Sequence, residues 1–208
     1  MKPLQVMALR AEALPDHPHF CHLRTLSPLV LYDLRYASAR NFAGRSLYGD
    51  LDCAWLHREA AVGLQSAAAW LQAARPGWRI LVLDALRPQR VQEAIWRDVV
   101  GTPAQDYFAD PVRGSIHSYG MAVDATLIDP AGREADMGSG FDEMSPVSHP
   151  ALHAQHLAQG LLTARQVAER GLLLQAMQHG GFNGIPNEWW HFDHGDRSRV
   201  RRELPRIT

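Results

Sequence analysis

HREAAVGLQSAAAWLQAARPGWRILVL, residues 57–83, reads as a helix, a stop and a strand. Alanine, leucine and glutamine dominate residues 57–75, and all three are strong helix formers. Leu64, Ala67, Ala68 and Leu71 fall on one face at helical spacing. Pro76-Gly77 ends the helix. RILVL, residues 79–83, is a short apolar run of the kind a buried strand carries. Pro88 then predicts a second helix over about 88–100, with proline in its favoured first turn.

Outward from this core the alternation continues. Residues 101–114 carry Gly101, Pro103, Pro111 and Gly114 and read as a loop. GMAVDATLI, residues 120–128, predicts a strand, closed by a turn at Pro130-Ala131-Gly132. Residues 136–150 read as irregular. A third helix is predicted over 163–179, with Thr163 as its N-cap and Gly180-Gly181 as its stop. EWWHFD, residues 188–193, predicts a last strand. Helices and strands interleave without a strict βαβ rhythm. The expected fold is α+β: a small, mainly antiparallel sheet with helices packed against it. With 208 residues and no repeat or low-complexity linker, residues 1–208 are expected to form a single domain.

Hydrophobic residues make up 46% and charged residues 21%, and the formal net charge is -1. That balance carries no nucleic-acid footprint and no polybasic membrane patch. No stretch approaches the ~20 apolar residues of a membrane span. The opening MKPLQVMALRAEALPDHPHF lacks the apolar run of a signal peptide, so a cytoplasmic location is expected. Cys21 and Cys53 are too few for a disulfide framework. One bridge between them would need a proximity that sequence does not give. Two reduced, buried thiols are the expectation.

Two segments carry chemistry: SIHSYGMAVD, residues 115–124, and EWWH, residues 188–191. Together they offer two imidazoles, one carboxylate ligand and one spare carboxylate. A catalytic zinc takes three protein ligands and leaves a position for water. His117, Asp124 and His191 match that need, with a chain turn at Gly120 bringing the first two together. Glu188 and His191 are three residues apart. In an ideal strand they would face opposite sides, so a bulge or turn must bring both to the metal.

Blander readings stand beside these. The chain has eleven histidines, and His17, His19, His22, His149, His153 and His156 lie in polar stretches expected to be exposed. EWWH alone equally describes an aromatic strand with a buried, satisfied histidine, and a lone HxxxxxxD match arises often by chance. Arg87 equally reads as a salt-bridge partner of Asp84, Asp142 as a turn cap, Tyr36 as a core aromatic and Ser115 as a loop cap.

SIHSYGMAVD resembles the SxHxxGxAxD motif of the zinc D-Ala-D-Ala peptidases, and EWWHF resembles their ExWH motif. The likeness is strongest to the VanX-type D-alanyl-D-alanine dipeptidases. DLRYASARNFAGRSLYG at 33–49 is similar to their N-terminal signature, DALRP at 84–88 resembles DGYRP, and MGSGFD at 137–142 resembles MGSxFD. These segments run in family order from roughly residue 30 to residue 192.

The resemblance implies one zinc ion per chain held by His117, Asp124 and His191, with Glu188 as general base and then acid. It implies that Arg87 stabilises the oxyanion, that Asp84 orients Arg87, and that Asp142, Ser115 and Tyr36 hold the amino group of a small dipeptide. Ala85 and Leu86 depart from the family Gly and Tyr, and Tyr119 and Met121 also differ, which bears on fine substrate preference. The resemblance leaves a rival, a zinc D,D-carboxypeptidase or endopeptidase acting on peptidoglycan peptides. From other classes come a metal-bearing binding module, disfavoured by the presence of Glu188, and a plain α+β domain with a histidine-rich surface.

Overall fold

The computed structural model describes residues 8–208; the opening of the N-terminal segment weighed above, residues 1–7, lies outside them. In chain order the strands are β1 (Phe20–His22), β2 (Val30–Tyr32), β3 (Trp55–His57), β4 (Arg79–Asp84), β5 (Ala122–Ile128), β6 (Phe182–Ile185) and β7 (Glu188–His194). The helices are α1 (Arg58–Ala74), α2 (Gln89–Val99), α3 (His153–Ala158), α4 (Ala164–His179) and α5 (Arg197–Glu203). The main sheet has the order β2-β4-β5-β7-β6, and β1 pairs with β3 in a separate two-stranded sheet. Only β2 and β4 run parallel; the other neighbours are antiparallel. The α+β expectation is borne out.

The predicted apolar face of α1 is buried: Leu64, Ala67, Ala68 and Leu71 are fully covered. They pack with Ile80, Val82, Val123, Ala125 and Leu127, one face of the central strands. Leu81, Leu83 and Ile128 pack on the opposite face with Leu31 and Phe141. Both faces of β4 and β5 are covered, which is why those strands read as continuous apolar runs rather than as alternation.

At Gly63 and Gly180, α1 and the end of α4 touch backbone to backbone. A Cβ at Gly63 would overlap the Gly180 carbonyl oxygen and press within 2.8 Å of the His194 ring. Gly63→Ala is therefore expected to cost about 1–3 kcal/mol through overpacking. Urea unfolding checks this, and an unchanged midpoint would contradict it.

Two local readings are corrected. Pro88 is not in the first turn of α2: it is the N-cap residue, extended at ψ 148°, and the helix starts at Gln89. Its carbonyl accepts from Val91 and Gln92 at 2.9 and 3.1 Å, so it opens the helix from outside. His22 and His156 are buried, not exposed. The His22 ring packs edge-on against Trp55, and its Nδ1 accepts from Arg24 N at 2.9 Å. Both cysteines are free thiols; Cys53 is buried and Cys21 half-buried. Among the described residues no helix is long and apolar enough to cross a membrane.

Candidate metal and catalytic site

Sheet register brings the acidic and histidine side chains into line. Asp84 on β4 sits opposite Asp124 on β5, and Asp124 sits opposite His191 on β7. Directly opposed residues share a face. A bulge between Val82 and Asp84 makes this so; in unbroken register Leu83 would oppose Asp124. A second irregularity supplies what the ExWH spacing required. Ile185 pairs with Glu188 while the adjacent Gly184 pairs with Phe192, so β7 bulges across 189–191. Glu188 and His191 then line the same cavity.

His117 arrives from a 3-10 turn over Ile116–Tyr119. Gly120 ends that turn in the left-handed region at φ 64°, ψ 24°. A Cβ there would meet the His57 backbone nitrogen at 2.8 Å, so glycine is required for conformation and for space. The DALRP backbone then locks the imidazole: His117 Nδ1 donates to Ala85 O at 2.7 Å, and Arg87 N donates to His117 O at 3.2 Å.

His117 Nε2, His191 Nδ1 and Asp124 Oδ1 converge. The separations are 3.1 Å between the imidazoles, 3.0 Å from His191 to Asp124 and 3.3 Å from His117 to Asp124. A tetrahedral site with bonds of about 2.0–2.2 Å would separate its ligand atoms by about 3.3 Å. The outer nitrogens are engaged as donors, His117 Nδ1 to Ala85 O and His191 Nε2 to Asp193 Oδ1 at 3.0 Å. By that hydrogen-bond assignment the inner nitrogens present lone pairs towards a carboxylate oxygen. In that state the three atoms form the donor set and spacing of a divalent metal site.

The histidines and carboxylates of the group also perturb one another's titration. Burial would lower the His191 pKa, but Asp193 and Asp124 more than offset it and raise it well above its ordinary value. Burial would raise the Asp124 pKa, yet His117 and His191 hold it well below the carboxylate range. The two imidazoles and the carboxylate are donors that fit a divalent ion of zinc type.

Glu188 is buried beside this group, and desolvation is the main cause of a pKa raised to about 7. Arg87 is also buried. Its Nε and Nη2 donate to Asp84 Oδ2 at 3.0 and 2.7 Å, its Nη1 to Gln92 Oε1 at 3.2 Å, and Nη2 reaches Asp124 Oδ2 at 3.5 Å. Asp84 is held in turn by the Tyr48 hydroxyl and by Ala85 N. The Arg87–Asp84 ion pair and a place in the cavity lining therefore coexist.

Tyr36 is fully buried, lies 4.7 Å beneath the Arg87 guanidinium, and donates to Asp142 Oδ1 at 3.4 Å. Asp142 has φ 58°, a left-handed conformation rare outside glycine. Burial, then the Asp124 charge, pushes its pKa well up. Ser115 precedes the His117 turn but makes no capping hydrogen bond; its side chain lines the cavity instead. The cavity is ≈ 320 Å³. That is the small end of the ~300–1,000 Å³ usual for ligand pockets.

The chain matches the family profile described as D-ala-D-ala dipeptidase over residues 16–207. The chain belongs to the D-Ala-D-Ala dipeptidase family. It is 36% identical to the D-alanyl-D-alanine dipeptidase of Escherichia coli (strain K12) over 86% of each chain. The protein of that name from Synechocystis sp. is 34% identical over 64% of this chain and 66% of its own. The one from Enterococcus faecalis is 28% identical over 78% and 85%.

Sequence reasoning missed several supports of this dipeptidase-family site. Asp193 anchors His191 and pairs with Arg197 on α5. Its signal was available, since Asp193 lies two residues from His191 on the same strand face. Arg170 on α4 is buried, and donates to Met137 O, Val147 O and Ser139 Oγ at 2.6, 2.9 and 3.0 Å. Trp189, next to Glu188, donates to the same Ser139 Oγ at 3.0 Å. Together they fix the segment that carries Asp142.

Proposed function

We propose that this chain is a cytoplasmic zinc dipeptidase hydrolysing D-Ala-D-Ala to D-alanine, as a single domain over residues 1–208 with one ion per chain. The observation that carries the reading is the convergence of His117, Asp124 and His191 within 3.0–3.3 Å beside the buried Glu188. Family membership supports the substrate.

Bound by those three residues, zinc would supply Lewis acidity, polarising the scissile carbonyl and making water acidic near neutral pH. Glu188 takes the proton of the attacking water and returns it to the leaving amine. Arg87, held by Asp84 and Gln92, faces the developing oxyanion. Asp142, with Tyr36 and Ser115, receives the substrate ammonium. A longer peptide has no free ammonium there, and would leave that carboxylate unpaired in a confined cavity. This favours a free dipeptide over the peptidoglycan peptides of the rival reading.

The test is hydrolysis, with and without metal, of D-Ala-D-Ala, L-Ala-L-Ala and N-blocked D-Ala-D-Ala. Metal-dependent turnover of the first alone is expected; equal turnover of the blocked substrate would reject the reading. Arg87→Ala is expected to lower turnover by about 10²–10³-fold, the usual loss for one preorganised oxyanion partner. Metal content should stay stoichiometric, and undiminished turnover in that metal-loaded variant would reject the role.

A further inference from the structure

A dipeptide carries a carboxylate as well as an ammonium, and a buried carboxylate needs a cation. Four arginines line the cavity: Arg87, Arg113, Arg197 and Arg201. Arg87 is committed to Asp84 and Gln92, and Arg197 to Asp193. Arg113 and Arg201 have no ion pair among the described residues, although the exposed Asp106 lines the same mouth.

We propose that Arg113 and Arg201 form the carboxylate subsite of this cavity, receiving the C-terminal carboxylate of the dipeptide. The inference rests on the reading of the site as a dipeptide site. It adds the residues that fix substrate direction.

Arg201 is half-buried on α5, which packs against the turn that carries His117. Its Nε donates to Gly114 O at 3.1 Å, between Arg113 and Ser115. That bond fixes the guanidinium against the cavity wall. Its terminal nitrogens make no hydrogen bond among the described residues, and so remain for a ligand. A guanidinium presents such nitrogens as a fork matched to a carboxylate.

Arg113 is exposed and two residues from Ser115, so its side chain can swing over a bound anion. Burial, then the charge of Arg113, lowers the Arg201 pKa, with Tyr119 and Asp193 opposing in part.

The two charged ends of the cavity are distinct. Asp142 accepts from the Tyr36 hydroxyl and from Phe42 N, each at 3.4 Å. Arg201 instead lies on α5, bonded to Gly114 O at the start of the His117 segment. With Asp142 at the ammonium end and the arginine pair at the other, a zwitterionic dipeptide can lie across the metal group in one direction only.

The experiment compares D-Ala-D-Ala with D-alanyl-D-alaninamide, which lacks the terminal charge. Steady-state kinetics are run on the zinc-loaded chain, and calorimetric binding on its Glu188→Gln form. Each is repeated with Arg113→Gln, and with Arg113→Gln plus Arg201→Gln. The double variant should weaken KM and Kd for D-Ala-D-Ala by about tenfold to a hundredfold, the range for a lost charged hydrogen bond. It should leave kcat and the amide nearly unchanged, so that the preference for acid over amide collapses.

A parallel loss on both substrates would mean a merely structural role and would overturn the proposal. So would a wild-type chain that does not distinguish acid from amide, or one that binds neither. Arg113→Gln alone, at an exposed site, keeps the test valid should the double variant fold poorly; a preference unchanged in it and in Arg201→Lys is also contrary. Hydrolysis without carboxylate preference would sink the subsite and spare the dipeptidase reading. Carboxylate-dependent binding without hydrolysis would do the reverse.

Discussion

Glu188→Gln is expected to lower kcat/KM on D-Ala-D-Ala by about 10²–10⁴-fold, the usual contribution of a positioned acid–base group. Glutamine keeps the shape and burial of the side chain but cannot accept the proton. The metal ligands are untouched, so metal content should be unchanged. The same residue is expected to set the acid limb of the pH profile, because a base works only as carboxylate. Its pKa is raised to about 7, chiefly by burial. Activity should therefore be lost as pH falls through a value at or below about 7, because a bound cation nearby favours the carboxylate. Metal-loaded Glu188→Gln should retain only residual activity, without that limb. A variant with native turnover would remove Glu188 from the mechanism.

His191→Ala is expected to abolish metal-dependent turnover altogether. It removes one of the three inner donors, and leaves Asp124 and Asp193 facing an empty space in buried surroundings. Asp193→Ala should be milder. Such outer partners typically contribute about 10–100-fold in metal affinity or activity. The expected order, from metal titrations followed by activity, is wild type, then Asp193→Ala, then His191→Ala. Equal affinity in all three would deny the histidine its role. An Asp193 effect as large as that of His191 would make Asp193 itself a ligand.

Long periodic elements were legible in the sequence. Residues 57–75 became Arg58–Ala74, and 163–179 became Ala164–His179, with the Thr163 cap accepting a hydrogen bond from Gln166 N at 3.2 Å. The apolar runs at 79–83 and 120–128 became the two central strands. Strands β1, β2 and β3 have three residues each, too short for any periodic signal, and they form through pairing with distant chain. His22 shows a related limit: a polar neighbourhood does not predict exposure when the imidazole itself serves as a cap.

The candidate metal group was legible because its residues lie in two compact segments with a known spacing. The ExWH spacing even specified a bulge, and β7 has one. Arg170 was not legible. It reads as a cation on the apolar face of α4, in helical step with Leu173 and Met177, and acquires meaning only from the carbonyls of a segment some thirty residues away. The cross-strand alignment of Asp84, Asp124 and His191 depended equally on two bulges that local sequence does not encode.

The most direct test of the metal group is the zinc content of the purified chain after equilibrium dialysis, with His117→Ala and Asp124→Ala alongside. One ion per wild-type chain, and its loss from both variants, is the expected result. Zinc retained at full stoichiometry by either variant, or absent from the wild type, would contradict the account.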